Sequence, residues 1–180
     1  MTQSVLSESE TTELIGGTVQ YVLQQRDYYW PSRRPLTSRE RQVIGGFFED
    51  SLTDLVAIVE LDGELIARPP LAMREVLSAH YEVPSLHRMV SVTLRDLLVF
   101  QRKLTDRRLF HAMVHACQFA ELGIEAYFDL YLRAFLRCGD YLKIPMEAHV
   151  HELEARFAES PQHFFNATQQ VRMRIQQRQY

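Results

Sequence analysis

Between Thr105 and Gly123 the chain is committed to a helix, and whatever else it builds has to pack around that segment. Thr105 or Asp106 supplies a capping oxygen at the start, and Gly123 is placed where a helix ends in a backbone conformation that other residues resist. Between them runs FHAMVHACQFAEL, an apolar stretch carrying His111 and His115. Residues four apart on a helix project from one face, about one turn apart. Both imidazoles can therefore reach one metal ion, provided a further ligand comes from elsewhere in the fold. The plain alternative is two histidines packed at a helix surface, each satisfied by a hydrogen bond.

A later helix offers the missing ligand. Pro145 suits a first helical turn, opening MEAHVHELEARFAE, which Ser160-Pro161 terminates. Glu147 and His151 are four apart and share a face. Glu147 completes a two-histidine, one-carboxylate set, with His151 as a fourth ligand or a supporting contact. His149 is turned away from them, at about 100° per residue, and ranks lower as a ligand. The competing role for Glu147 is an acidic side chain complementing the helix dipole.

The rest of the chain reads as α+β, with a small sheet in the first half and a mainly helical second half. Ser7 or Ser9 caps a first helix running to about Tyr29, and Thr37 with Glu40 fits a capping box that opens a short second one. DLVAIVELDGELIA reads as two short strands around Asp62-Gly63. LAMREVLSAH reads as helix or loop, and MVSVTLRDLLVF as one bent strand or a tight pair around Arg95-Asp96. IEAYFDLYLRAFLRC forms a helix ended by Gly139, and HFFNATQQVRMRIQQRQY a last one.

Composition removes several function classes. Lys and Arg number 20 against 23 Asp and Glu, a net charge of −3, so no basic footprint for nucleic acid exists. The arginines around RDYYW therefore read as part of a packed aromatic anchor. No run of about 18 apolar residues is present, and MTQSVLSESETTEL lacks the pattern of a secretory leader, so no membrane partner is expected. Cys117 and Cys138 lie in apolar helical patterns and read as free buried thiols of a reducing compartment. The expectation is one cytoplasmic domain over residues 1–180.

One resemblance is specific. Leu109-Phe110-His111, His115 with Gln118, Leu122-Gly123 and Pro145-Met146-Glu147 follow a pattern similar to bacterial zincin-like proteins, which carry an HExxH metal helix. It covers roughly residues 85 to 160. The resemblance implies a zincin-like fold with Zn²⁺ held by His111, His115 and Glu147, and MVSVTLRDLLVF as edge strands beside the site. It implies a small molecule or peptide entering the metal cleft.

The departure is Ala112, which stands where an HExxH hydrolase has the glutamate that takes a proton from zinc-bound water. Ordinary peptide hydrolysis is therefore not expected. Three readings remain: a non-hydrolytic metal-binding or metal-free interaction domain, an enzyme with a substitute base, or a different metal. Candidates for the base are His151, Tyr131, Glu152, His149 and His87. Fe²⁺ is the alternative ion, because two histidines and one carboxylate also form the ligand set of non-haem iron oxygenases. Glutamate changed to alanine is also what a silenced peptidase would carry. Asp96, Asp106 and Glu121 read as solvated carboxylates, although one of them could orient a ligand histidine. His80 and His163 read as surface or loop residues. Packing accounts for Val171, Met173 and Ile175 in the last helix.

Overall fold

Local capping chemistry sets most element boundaries in the computed structural model, which describes residues 6–61, 64–66 and 89–180. The Ser7 side chain accepts from Glu10 N–H while the Glu10 carboxylate returns to the Ser7 N–H, and this box opens α1 (Glu8–Tyr29). The Thr37–Glu40 box opens α2 (Ser38–Ile44), after the short strand β1 (Arg34–Pro35). A further helix, α3 (Asp50–Leu55), precedes β2 (Ala57–Glu60). The tight pair around Arg95-Asp96 is β3 (Ser91–Leu94) and β4 (Leu97–Phe100), with Arg95 at φ 67° in the turn. Thr105 caps α4 (Asp106–Leu122), and Gly123 separates it from α5 (Ile124–Cys138). Pro145 opens α6 (Pro145–Glu159), and Asn166 caps α7 (Ala167–Gln176).

Two expectations need correcting. Residues 64–66 form no strand, so DLVAIVELDGELIA is not a hairpin; the Asp62-Gly63 turn itself lies outside the described residues. The apolar run of β2 instead pairs with β4 in parallel, Ile58 opposite Leu98. Parallel pairing buries both faces, which suits the near-continuous run Val56–Val59 better than alternation would. The last helix begins at Ala167 rather than near His163, because the Asn166 side chain accepts from Gln169 N–H and defines the start there. LAMREVLSAH lies outside the described residues.

The four-stranded mixed sheet runs β1-β2-β4-β3, so β3 is an edge among the described strands. Alternate residues of β2 and β4 feed two cores, as the period of two requires. Ile58, Leu98 and Phe100 meet α4, α6 and α7, where Phe110 stacks on Phe157 with centroids 4.4 Å apart. Ala57, Val59, Leu97 and Val99 meet α1 and α5 through Val22, Tyr29, Leu132 and Phe135. Trp30 is flanked by the Arg26 and Arg33 guanidinium groups, each 4.1 Å from its ring centre. No helix among the described residues is long and apolar enough to cross a membrane.

Glu40 has a further role beyond its cap. Its oxygens accept from both Arg34 end nitrogens at 2.8 Å, and these bonds, against burial, hold its carboxyl down at about 2. A carboxyl depressed in the folded state contributes stability above its ordinary value, which is lost as pH falls towards the folded value. Stability should therefore drop between about pH 4.5 and 2. Glu40→Gln should cost about 1–2 kcal/mol at neutral pH in denaturant titrations and flatten that acid limb.

Candidate metal centre

Every residue of α4 from Leu109 to Phe119 is buried except His111, which is partly exposed. A helix apolar on nearly all sides lies inside a fold rather than on it. Histidines on such a helix need polar partners, and each has one.

His115 is the more tightly specified. The amide nitrogen of Gln118 donates to the Met146 carbonyl at 3.2 Å, which turns the Gln118 oxygen towards His115 Nδ1 at 3.1 Å. A carbonyl oxygen only accepts, so Nδ1 of His115 carries a proton; in the neutral ring Nε2 then keeps a lone pair. The Tyr127 hydroxyl oxygen, also 3.1 Å from Nδ1, shares that proton. Nε2 faces Oε2 of Glu147 at 3.6 Å. That gap exceeds the roughly 2.7–3.2 Å of a nitrogen–oxygen hydrogen bond. It is close to the ~3.4 Å that separates two ligands on a tetrahedral zinc with bonds of ~2.0–2.1 Å.

His111 is oriented by a carboxylate. Its Nδ1 lies 3.2 Å from Oε2 of Glu154, whose other oxygen accepts from Arg107 at 2.7 Å. Burial opposes the charge on Glu154, but the His111 and Arg107 bonds outweigh it and hold the carboxyl at about 2. An ionised carboxylate only accepts, so Nδ1 of His111 donates and its Nε2 lone pair is free. Burial also pushes the His111 pKa down, with Glu154 opposing, and so favours the neutral ring.

Glu147, on the first turn of α6, is 2% exposed. Tyr131 donates to one of its oxygens and Tyr141 to the other, both at 2.7 Å. Burial raises the Glu147 carboxyl, while His115, when its ring carries both protons, and the Tyr141 and Tyr131 phenols oppose that, and the balance lies at about 2. One ligand atom from each of His111, His115 and Glu147 lies within 4.8 Å of the others.

The remaining sequence candidates fall elsewhere. His151 Nδ1 lies 3.2 Å from the same Glu154 oxygen as His111, and its buried Nε2 has no hydrogen-bond partner among the described residues. His111, His151 and Glu154 form a second ligand-like group, but Arg107 already places a positive charge on its carboxylate. His149 is turned towards the Tyr180 hydroxyl at 2.6 Å, and burial pushes it down to about 4. Glu152 pairs with Arg174. Asp96, Asp106 and Glu121 pair with Arg26, Arg39 and Arg172, so none of them orients a ligand histidine. His163 is exposed, and His80 and His87 lie outside the described residues.

A cavity of about 200 Å³ opens beside the three residues, bounded by α1, β3, α4 and α5. His111, His115, Glu147 and Tyr131 line it; His151, Glu154 and Ala112 do not. Ala112 is 1% exposed and sits in the opposite core with Phe110 and Leu98, while its carbonyl accepts from the Thr93 hydroxyl at 3.3 Å.

Glu154, Tyr127 and Tyr141 were not among the residues expected at the site. Glu154 could have been found, because 147, 151 and 154 follow the i, i+4, i+7 spacing of one helix face. The tyrosines carry no comparable local signal. Outer partners of ligand histidines set ring orientation and basicity. Glu154→Gln should thus weaken zinc binding about 10–100-fold in chelator competition, leaving stoichiometry at one.

Compared with known proteins, the chain matches no family model, no curated protein and no solved structure.

Proposed function

We propose that this chain is a mononuclear metal protein of the His-His-Glu type, holding one divalent ion through His111, His115 and Glu147. One observation carries the reading: Nδ1 of each histidine has a fixed acceptor, and a ligand atom of each histidine lies within 4.8 Å of one from the ionised Glu147. With both rings neutral, the remaining lone pairs and that negative charge repel unless a cation lies between them. Zinc is the first expectation, since the 3.6 Å spacing and the neutral donors suit it. The order of a metal helix, an edge strand beside it and a third ligand on a following helix supports zincin-like ancestry.

When bound, the ion would supply Lewis acidity towards a molecule in the cavity. The chain's own residues do the rest. Gln118 and Glu154 orient the imidazoles, Tyr131 and Tyr141 hold the carboxylate, and apolar side chains form most of the cavity wall. A base for hydrolysis is what the described lining lacks. Its titratable groups are the three ligands and Tyr21, Tyr127, Tyr131 and Tyr141. Burial raises all four phenols, Tyr21 to about 12, so they stay protonated near neutrality. Tyr131 serves as a donor to Glu147 rather than as a base. His151 stands outside the lining, behind Glu154.

That lack favours a second reading, iron(II) with dioxygen, whose chemistry needs no carboxylate base on the helix. Metal analysis of untagged protein tests both. One equivalent of zinc supports the first reading, and iron with oxygen-dependent turnover supports the second. Protein that binds neither ion at micromolar concentration overturns both.

A further inference from the structure

We infer that the cavity beside the metal centre takes a small, neutral, one- or two-ring molecule that turns a single oxygen towards the ion. The oxygen end of this inference rests on the metal reading; the apolar end does not.

Size comes first. An apolar cavity of about 150 Å³ accommodates benzene. About 200 Å³ therefore suits a body of one to two fused rings and is too small for a third or fourth ring with substituents. Chemistry comes next. Phe119, Phe128, Leu132 and Phe135 face the space from α4 and α5, Val22 from α1 and Val92 from β3. Among the described residues lining it there is no lysine, arginine or aspartate, and the single acidic group is Glu147. A charged ligand body would be desolvated there without a partner.

Polar groups are densest at one end, although Ser91 and Tyr21 also belong to the lining. The Thr18 hydroxyl donates to the Leu14 carbonyl at 2.8 Å, and that of Thr93 to the Ala112 carbonyl. Both of these wall hydroxyls spend a donor on backbone. The remaining dense cluster of polar atoms is His111, His115, Glu147, Tyr131 and Tyr141, at the metal end. A ligand thus needs one polar group placed there and an apolar remainder. A peptide strand, with an N–H and a carbonyl on every residue, would leave several facing aromatic rings.

Calorimetry on the full chain tests this in two states. Metal-free protein should bind indole and toluene saturably, and bind a pyrene-sized compound at least tenfold more weakly. Zinc-loaded protein should bind benzohydroxamate roughly ten- to a hundredfold more tightly than acetohydroxamate, because the ring is buried. It should bind glycine hydroxamate, which carries an ammonium group, more weakly than either. Leu132→Trp should remove the benzohydroxamate advantage while zinc content stays at one equivalent. The pyrene comparison checks size without any variant.

If zinc binds but the three hydroxamates bind alike and indole does not bind, the inference is overturned while the metal reading stands. If indole binds but no zinc does, the metal reading fails and only the apolar end survives. Tighter binding of glycine hydroxamate than of benzohydroxamate overturns the neutral, apolar class in favour of a polar or peptide-like one.

Discussion

Glu147→Ala should abolish stoichiometric zinc binding, and Glu147→Gln should weaken it by more than the ~10–100-fold that loss of an outer partner costs. Glutamine keeps the size of the side chain and can still accept from a phenol, so its deficit isolates the negative charge. Two imidazoles would then face the ion without a charged partner, and the described lining offers no other carboxylate to replace Glu147. Chelator competition with a colorimetric zinc indicator measures the effect. Circular dichroism of the metal-free variants separates it from misfolding. If Glu147→Gln binds zinc as tightly as the parent chain, Glu147 is a dipole-complementing residue at a helix start and no ligand.

Ala112→Glu should destabilise the protein by about 3–5 kcal/mol and confer no peptide hydrolysis. Read from the sequence, this substitution restores the missing base of a metal helix. In the fold, Ala112 is 1% exposed, belongs to the core cluster that holds Leu98, and is not among the residues lining the cavity. Glutamate there must either bury an unpaired carboxylate or push apart a close-packed core. Urea denaturation gives the stability change, and a fluorogenic peptide assay on zinc-loaded protein gives the activity. Hydrolysis appearing in the variant at parental stability would show that the position reaches the metal after all and that the chain is a silenced peptidase.

These two positions mark how far the sequence could be read. Ser7, Thr37, Thr105, Gly123 and Pro145 were legible as element boundaries because capping is chemistry between residues three or four apart. The histidine pair was legible as sharing one face of α4 for a related reason, since spacing on a helix fixes which side chains project together, whereas the approach of Glu147 to that pair depends on how α6 packs on α4. Strand pairing was not legible either. Whether Ile58 meets Leu98 or a residue just beyond Gly63 depends on which distant segment covers it, and a short apolar run is consistent with both. The direction of Ala112 was hidden for the same reason: periodicity separates the two sides of α4 but cannot say which one is core and which faces a cavity. Tyr127 and Glu154 reach the histidines across helix–helix interfaces and Tyr141 reaches Glu147 from the turn before α6, so only Glu154, sharing a face with Glu147, left a trace in the spacing.

Gly123 has a consequence for which changes the protein can tolerate. It ends α4 and begins α5 with φ 77° and ψ 162°, a region of backbone space essentially reserved for glycine. A side chain there would meet nothing within 4 Å, so open space around a residue is no guide to its freedom to vary. The angle at this single hinge decides where Tyr127 and Tyr131 arrive relative to His115 and Glu147. A surface residue that touches no ligand thereby acts as the alignment screw of the site. Substitution at 123 should register as a loss of metal affinity greater than its effect on the melting temperature.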